Sequence, residues 1–318
     1  MFISVLFIFL IVIGLLYTYS QVQFKKSEEA FPPDGKFITV GNYKLHYISE
    51  GTGQPVVFLH GGMLSSRDFT DLVQLASKQG YHAIAFDRPG YGYSNRPNKV
   101  EITPISQASL IHKALKEIGV DQPIILVGHS WSGTMTLSYA LQFPNEVAGI
   151  VTLAGAMYKE GYPAEHGDAL SKMVTTPILG NIILNTLLKT PLAKGMATSM
   201  VRETFAPEPV PEGYMEAVYA LGFRPGHFKA NREDVLAFPE TSKILSERYK
   251  EIKVPIVIVV GEKDPFSTIE QAERLKKDIP HAIYKRIPNI GHMIPHLHPK
   301  VVIESINNIS NINHLDQK

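Results

Sequence analysis

Apolar and polar positions along the chain alternate in two patterns from residue 36 onward. Short runs of Val, Ile, Leu and Phe predict strands, and segments with apolar residues three and four apart predict helices. The predicted strands are KFITV, YKLHYIS, PVVFLH, HAIAFD, PIILVGH, VAGIVTLAG, PIVIVVGE and AIYKRIP. Most are separated by helical segments of about 10 to 15 residues, which indicates βαβ units. The pattern therefore predicts an α/β fold with a mostly parallel sheet covered by helices on both faces.

Two of these elements carry clear end signals. Gly41 and Asn42 separate the first two predicted strands, which favours a hairpin. The segment TPISQASLIHKALKEIG predicts a helix with Thr103 as its N-cap, Pro104 in its first turn and Gly119 beyond its end.

The first twenty residues, MFISVLFIFLIVIGLLYTYS, contain no charged side chain, and the first one is Lys25. A run of roughly 18 or more apolar residues is long enough to span a bilayer. A secretory signal would have a basic start and a shorter apolar core, so residues 1–24 are predicted to be an uncleaved transmembrane anchor. Cleavage after a Thr18-x-Ser20 motif, with secretion, is the alternative. The lysines that follow the run favour a cytoplasmic catalytic domain.

The remaining chain divides by composition. Residues 25–35 are predicted to be a linker, and residues 36–157 and 237–318 the α/β core. Residues 158–236 break the strand–helix alternation and are rich in Pro, Met and Gly. They predict an inserted cap over the carboxyl ends of the strands, where ligands bind in open α/β sheets.

Composition narrows the class of protein further. The chain has 318 residues, 44% hydrophobic and 19% charged, with a net charge of +1, so no nucleic-acid partner is expected. It has no cysteine, which excludes disulfides and thiolate metal sites. His292, His296 and His298 are close in sequence, but Pro295 and Pro299 interrupt them and no carboxylate is near. We therefore expect neither a metal site nor a cofactor.

The segment GHSWSG, residues 128–133, lies between a predicted strand and a predicted helix. This is the context of a nucleophile elbow, in which a serine occupies a sharp, strained turn. Ser130 is therefore the candidate nucleophile. Small residues are needed two positions before and after it, where Gly128 and Ser132 stand. Ser132 replaces the usual glycine and is the imperfect part of the pattern.

A serine hydroxyl needs a histidine base, and that histidine needs an acid to orient it. Asp264 follows a predicted strand in VVGEKDPF, and His292 follows the last strand in IPNIGHMIPHLHP. Both loops are expected at the same sheet edge as Ser130. Asp87, in another strand-end loop, is expected to hold its own loop by hydrogen bonds.

The segment LHGGM follows the strand that opens the α/β run. Backbone N–H groups in such a glycine turn can bind a developing oxyanion. The amide of Trp131 is the expected second donor, and Gly62 or Met63 the first, with Gly62 preferred.

Taken together these motifs resemble the α/β-hydrolase fold family. Five blocks match in order: VVFLHGGMLSSRDF, HAIAFDRPGYGYSNRP, PIILVGHSWSGTMTLSYALQFPNEVAGIVTLAG, PIVIVVGEKDPF and NIGHMIPHLHP. The resemblance implies an eight-stranded, mostly parallel sheet and a Ser-Asp-His triad, which by position is Ser130, Asp264 and His292.

The resemblance implies a serine hydrolase that cleaves carboxylic esters, lipid-type esters included, through an acyl-enzyme. Alternatives are a prolyl-aminopeptidase-like enzyme, using cap carboxylates such as Glu203, Glu208, Glu212 and Glu216, or another amide hydrolase, C–C bond hydrolase or perhydrolase. A non-enzymatic ligand receptor is a further alternative. The expected partners are a small ester or amide and, through the anchor, a membrane; the sequence leaves the oligomeric state open.

Overall fold

The strands of the computed structural model, which describes residues 2–97 and 102–316, form one sheet. They are β1 (Lys36–Val40), β2 (Tyr43–Glu50), β3 (Pro55–Leu59), β4 (His82–Phe86), β5 (Ile124–His129), β6 (Val147–Leu153), β7 (Ile256–Gly261) and β8 (Ile283–Ile287). Within the described residues, the sheet has eight strands in the order β1-β2-β4-β3-β5-β6-β7-β8. β2 is antiparallel to β1 and β4, and the other pairs are parallel. The predicted α/β class and mostly parallel sheet are confirmed.

Helices cover both faces of this sheet, and further helices pack together in a third apolar cluster. They are α1 (Phe2–Ala30), α2 (Thr70–Lys78), α3 (Pro104–Glu117), α4 (Ser132–Gln142), α5 (Ala169–Val174), α6 (Pro177–Thr186), α7 (Pro191–Phe205), α8 (Tyr214–Ala217), α9 (Pro225–Ser246), α10 (Thr268–Asp278), α11 (Ile294–Leu297) and α12 (Pro299–Asp316). Short 3₁₀ turns occupy Ser66–Phe69, Pro144–Glu146 and Tyr249–Glu251, and a π-helical turn occupies Val218–Gly222.

The predicted end signals are confirmed. The Thr103 hydroxyl accepts a hydrogen bond from the Ser106 N–H, and the Ser106 side chain accepts one from the Thr103 N–H, so the two form a capping box before Pro104. Val40 pairs with Tyr43 across the hairpin turn, and Gly41 adopts a φ of 57°, a left-handed conformation that glycine tolerates.

The central strands are buried on both sides. Val57 and Leu59 lie in one apolar cluster with residues of α3, α4 and α10, whereas Val56 and Phe58 lie in a second cluster with residues of α2 and α12. Because successive strand residues point to opposite faces, one apolar run supplies both cores. The continuous Val/Ile/Leu runs in the sequence have this origin.

The structure differs from the predicted segment boundaries at two points. Residues 25–35 were predicted to be a linker, but α1 continues to Ala30, and only residues 31–35 are non-helical. Lys25 and Glu29 are one helical turn apart and form an ion pair, which supports the extension. The predicted cap end at residue 236 falls inside α9. We propose that α5–α8 and the first half of α9 form the cap.

The cap has its own apolar core, and α1 contributes to it. Phe24 of α1 is buried in a cluster with Leu184 and Leu188 of the cap and with Met293 of the loop after β8. Among the described residues, α1 alone is long and apolar enough to cross a membrane, a test that a signal sequence also passes.

Candidate active site

Ser130 lies in the turn between β5 and α4, at the carboxyl edge of the sheet. Its φ of 52° places a non-glycine residue in the left-handed region, which costs about 1–3 kcal/mol and is typical of a functional turn. Its N–H donates to the Leu153 carbonyl at 2.9 Å. A Cβ on Gly128 would lie 2.6 Å from the Ser132 carbonyl oxygen. The strand and helix therefore approach as closely as a nucleophile elbow requires.

Ser132, the departure from the usual pattern, is fully buried beneath this turn. Its hydroxyl donates a 2.5 Å hydrogen bond to the carbonyl oxygen of His60, which also accepts from Arg88 Nε at 3.1 Å. The extra side chain thus fits and ties the elbow to the glycine turn after β3. With glycine at position 132, only Arg88 would donate to the His60 carbonyl.

Asp264 and His292 come together although 28 residues separate them. His292 Nδ1 lies 2.8 Å from Asp264 Oδ2, and the Asp264 side chain has no exposed surface. The other carboxylate oxygen accepts from the Phe266 N–H at 2.9 Å. Because an ionised carboxylate only accepts hydrogen bonds, this contact matches the His292 tautomer with its proton on Nδ1 and a lone pair on Nε2.

The loop that carries His292 is held by His129 and by Glu208, which was expected from the sequence only as one of several cap carboxylates for a substrate amine. His129 lies 3.0 Å from the His292 carbonyl oxygen through Nε2. Burial and the nearby His292 hold the pKa of His129 well below its ordinary value, so it stays neutral. Glu208 of the cap accepts from the Gly291 N–H at 2.8 Å and contacts His298 Nε2 at 2.5 Å. Glu208 is thus engaged with this loop. The only feature of the sequence that pointed to His129 is its position next to Ser130.

Gly62, Met63 and Trp131, the predicted oxyanion donors, line the two cavities that Ser130 borders. In the described part of the chain, no protein acceptor is hydrogen-bonded to the N–H of Gly62, Met63 or Trp131. A Cβ on Gly61 would lie 2.9 Å from Ser130 Cβ, so only glycine allows this approach. The Gly62 carbonyl accepts from Asn231 Nδ2 at 2.9 Å, which fixes the orientation of its peptide.

Arg88 holds the same glycine turn from below. Its side chain is fully buried and donates to the carbonyl oxygens of His60 and Gly61. It also pairs with Asp234 of α9 at 2.5 Å, which connects the turn to the cap. Burial, followed by the Arg88 charge, lowers the pKa of His60 to about 3, so this histidine is neutral.

The expectation that Asp87 holds its own loop is confirmed. Its carboxylate accepts from the Ser66 N–H and hydroxyl at 2.8 and 2.6 Å and from the Tyr93 N–H at 2.7 Å. It also contacts His46 Nδ1 at 2.8 Å. Burial alone would raise its pKa, but these partners, His46 first, lower it to about 2. The Asp87 carboxylate therefore has a structural role, which is to hold its own loop.

Two cavities of about 170 Å³ each meet at Ser130 and His292. The first is lined by the aromatic and apolar side chains of Tyr91, Trp131, Ala156, Tyr162, Pro163, Val235 and Phe266 and by the polar side chains of Asn231, Asp234, Ser267, Thr268 and Gln271. The second is lined by Met63, Met200, Thr204 and Met293 beside Arg232. The Trp131 indole lines the first cavity and also packs against its neighbours. Its Nε1 donates to the Asp234 carbonyl, and the Arg88 guanidinium lies 4.1 Å from the centre of its ring. Within the described residues, no group of His, Asp and Glu side chains could hold a metal ion.

This fold and site define an enzyme of the hydrolase class. Residues 56–305 match the alpha/beta hydrolase family, so the chain belongs to that family, and it is a hydrolase with lipase- and esterase-like relatives.

Individual relatives span almost the whole molecule. The chain is 27% identical over 285 residues to the uncharacterized hydrolase YugF of Bacillus subtilis, covering 87% of this chain and 98% of that protein. It is 28% identical over 276 residues to the cis-3-alkyl-4-alkyloxetan-2-one decarboxylase of Shewanella oneidensis, covering 81% and 82%. It is 25% identical over 283 residues to Lipase 3 of Moraxella sp., covering 87% and 84%. A thermophilic esterase from Thermogutta terrifontis shares the fold, with a TM-score of 0.68 and 19% identity over 88% of this chain and all of that one.

Proposed function

We propose that this protein hydrolyses carboxylic esters through an acyl-enzyme formed on Ser130. The proposal rests on the positions of three side chains around the two cavities. Ser130, in a left-handed turn, and His292, bonded to a buried Asp264, border the same two cavities. Nucleophile, oriented base and free backbone donors are the parts that acyl transfer needs.

The proposed reaction has two halves. The Ser130 hydroxyl attacks the ester carbonyl while His292 Nε2 takes its proton, and the N–H groups of Trp131 and Gly62 bind the resulting oxyanion. The C–O bond then breaks, and His292 returns the proton to the leaving alcohol. A water molecule attacks the acyl-enzyme by the same route, which releases the carboxylic acid and restores Ser130. Asp264 stabilises the imidazolium in both halves.

The lining of the cavities supports an ester rather than a free-amine substrate. A substrate ammonium group would need an unpaired carboxylate at the site. Asp234 is the carboxylate among the residues that line the two cavities, and Arg88 and Arg96 already neutralise it. Glu203, Glu212 and Glu216 lie outside both linings and are exposed. The name of the Moraxella relative, Lipase 3, agrees with an ester substrate.

A comparison of substrates tests the proposal. We expect turnover of p-nitrophenyl esters by the full chain and no comparable turnover of a proline arylamide. Ser130→Ala should abolish ester turnover and leave the fold intact by circular dichroism. Preferred cleavage of the arylamide would replace the ester proposal with the aminopeptidase one. Cleavage of esters by Ser130→Ala at the wild-type rate would refute the proposed nucleophile.

We further propose that α1 remains attached and anchors the enzyme in a membrane, with the catalytic domain on the cytoplasmic side. Support comes from Phe24, which α1 buries in the core of the cap, and from Lys25, Lys26 and Lys36 after the apolar run. The mature protein should keep its N-terminus and resist carbonate extraction from membranes. An intact mass that lacks residues 1–20 would refute retention of the anchor.

A further inference from the structure

Seven large apolar side chains of the cap are exposed, among them Met173 and Met196. The other five lie on α6, just after it and at the start of α7. They are Ile178, Leu179, Ile182, Leu187 and Leu192, which we call the cap face. Ile178 and Leu192 are the most exposed, at 79% and 82%. Residues 173–188 contain no charged side chain. Single exposed apolar residues are ordinary on a protein surface, but a cluster of this kind marks an interaction site.

Packing within the cap does not account for the cap face. Helix α6 buries its opposite side, where Gly180 and Leu184 are covered, and Thr186 at its end is buried beside α1. A Cβ on Gly180 would lie 2.0 Å from the Val174 carbonyl oxygen, so this side of α6 is already in tight contact. The packing of α6 against the rest of the cap therefore uses this side and leaves Ile178 and Leu179 at least half exposed.

The position of α6 along α1 identifies what the cap face meets. Ser20 Oγ of α1 donates to the Thr186 carbonyl at 3.1 Å, and Gln21 Nε2 contacts Asn185 Oδ1 at 3.4 Å. The unbroken apolar run of α1 ends at these residues, since the polar Ser20 and Gln21 follow Tyr19. Helix α6 thus packs where the apolar part of α1 stops.

The length of α1 gives the level of α6 relative to a bilayer that α1 spans. Residues 2–19 span about 27 Å at 1.5 Å per residue, close to the roughly 30 Å hydrocarbon thickness of a bilayer. When α1 spans the bilayer, its boundary with water falls near Tyr17 and Tyr19, whose rings are exposed and suit an interfacial position. The end of α6 lies at this same level.

We propose that the cap face is a lipid-binding surface that inserts into the interfacial layer of the leaflet from which α1 emerges. Exposed Lys172 and Lys194 stand on either side of it in sequence and suit anionic headgroups. Helix α7 carries the lipid-facing Leu192 near its start and, further along, Met200 and Thr204 of the cavity wall. The second cavity at Ser130 is therefore connected to the bilayer surface by a single helix.

Depth measurements on the full chain test this surface directly. Because the chain lacks cysteine, Leu179→Cys and Leu192→Cys each provide one labelling site for a nitrobenzoxadiazole probe. The matched control is Asp121→Cys, an exposed position before β5 at the sheet edge opposite the cap. The proteins are reconstituted in nanodiscs of anionic and zwitterionic phosphatidyl lipids, with or without a nitroxide on the acyl chain.

We expect both cap probes to be quenched by acyl-chain nitroxide at least about threefold more than the Asp121 probe. Equal, weak quenching at all three positions would overturn the proposal. Protection of the Leu179 probe from soluble iodide without lipid quenching, together with Leu179–Leu179 cross-linking between chains, would also overturn it in favour of a second copy.

A kinetic comparison adds a readout of function and rests on the proposed esterase activity. The double variant Leu179→Glu and Leu192→Glu should lower turnover of a vesicle-embedded ester about fivefold, while turnover of a soluble p-nitrophenyl ester stays within about twofold. Equal losses on both substrates would contradict a role in lipid contact. If the wild type cleaves no ester, the proposed function fails while the depth measurement still decides the lipid-binding surface.

Discussion

A buried carboxylate joins the cap to the core, and its removal gives a large predicted effect. Asp234 is 1% exposed and pairs with Arg88 at 2.5 Å and Arg96 at 2.7 Å. It also accepts from Tyr91 at 3.0 Å and Gln107 at 3.1 Å. Four donors thus converge on one carboxylate. Asp234→Asn keeps the shape of this side chain but removes the charge and turns one acceptor into a donor.

The magnitude follows from the buried state of the partners. Breaking a buried ion pair by removing one member costs about 3–5 kcal/mol, because the remaining charge stays buried without compensation. Here Arg88 is fully buried and would keep its carbonyl partners but lose its counter-ion. A domain of this kind has a total free energy of unfolding of about 5–15 kcal/mol. The loss is therefore a large part of the total.

The neighbouring residue provides a matched control. Glu233 contacts Arg96 at 3.0 Å and Lys229 at 3.7 Å, but its side chain is one-third exposed. We expect Glu233→Gln to cost about 1 kcal/mol or less, as partly exposed pairs do. Urea unfolding of both variants in the same detergent measures the two values. Equal free-energy losses for Glu233→Gln and Asp234→Asn would refute the assignment of Asp234 as the anchor of the cap.

Two further predictions concern buried side chains near the site. Ser132→Ala removes one hydrogen bond to the His60 carbonyl, which still accepts from Arg88. We therefore expect a loss of about 1 kcal/mol in unfolding free energy and at most about a fivefold fall in kcat. A fall in kcat of a hundredfold or more would show that the Ser132 hydroxyl sets the elbow geometry. Burial raises the pKa of Asp68 to about 7, although the Tyr214 hydroxyl donates to it at 2.7 Å. Between about pH 4 and 7 the folded protein holds this proton and the unfolded chain does not, so stability should fall as pH rises through this window, on the order of a few kcal/mol. Asp68→Asn should flatten that slope in urea unfolding at pH 5 and 8, and an unchanged slope would contradict the assignment.

Much of the fold and the chemistry at the sheet edge could be predicted from the sequence. Strand periodicity reports local burial, and the carboxyl ends of parallel strands share one edge. Residues just after three strands, namely Ser130, Asp264 and His292, were therefore expected to lie together. Their roles stay predictions until they are tested chemically.

The connections that hold this site could not be predicted in the same way. Glu208 reaches the Gly291 N–H across 83 residues, and Asp234 reaches Arg88 across 146. Such contacts depend on how the cap packs on the core. The spacing of hydrophobic residues along the chain does not predict them. The helical conformation of residues 25–30 could not be predicted for a related reason, because charged residues readily continue a helix that is packed along one side.

Active-site labelling shows whether Ser130 is the nucleophile. The full chain is treated with a fluorophosphonate probe, and the labelled peptide is identified by mass spectrometry. We expect one adduct on Ser130 in the wild type, full labelling of Ser132→Ala and no labelling of Ser130→Ala. Equal labelling of the wild type and Ser130→Ala would contradict it.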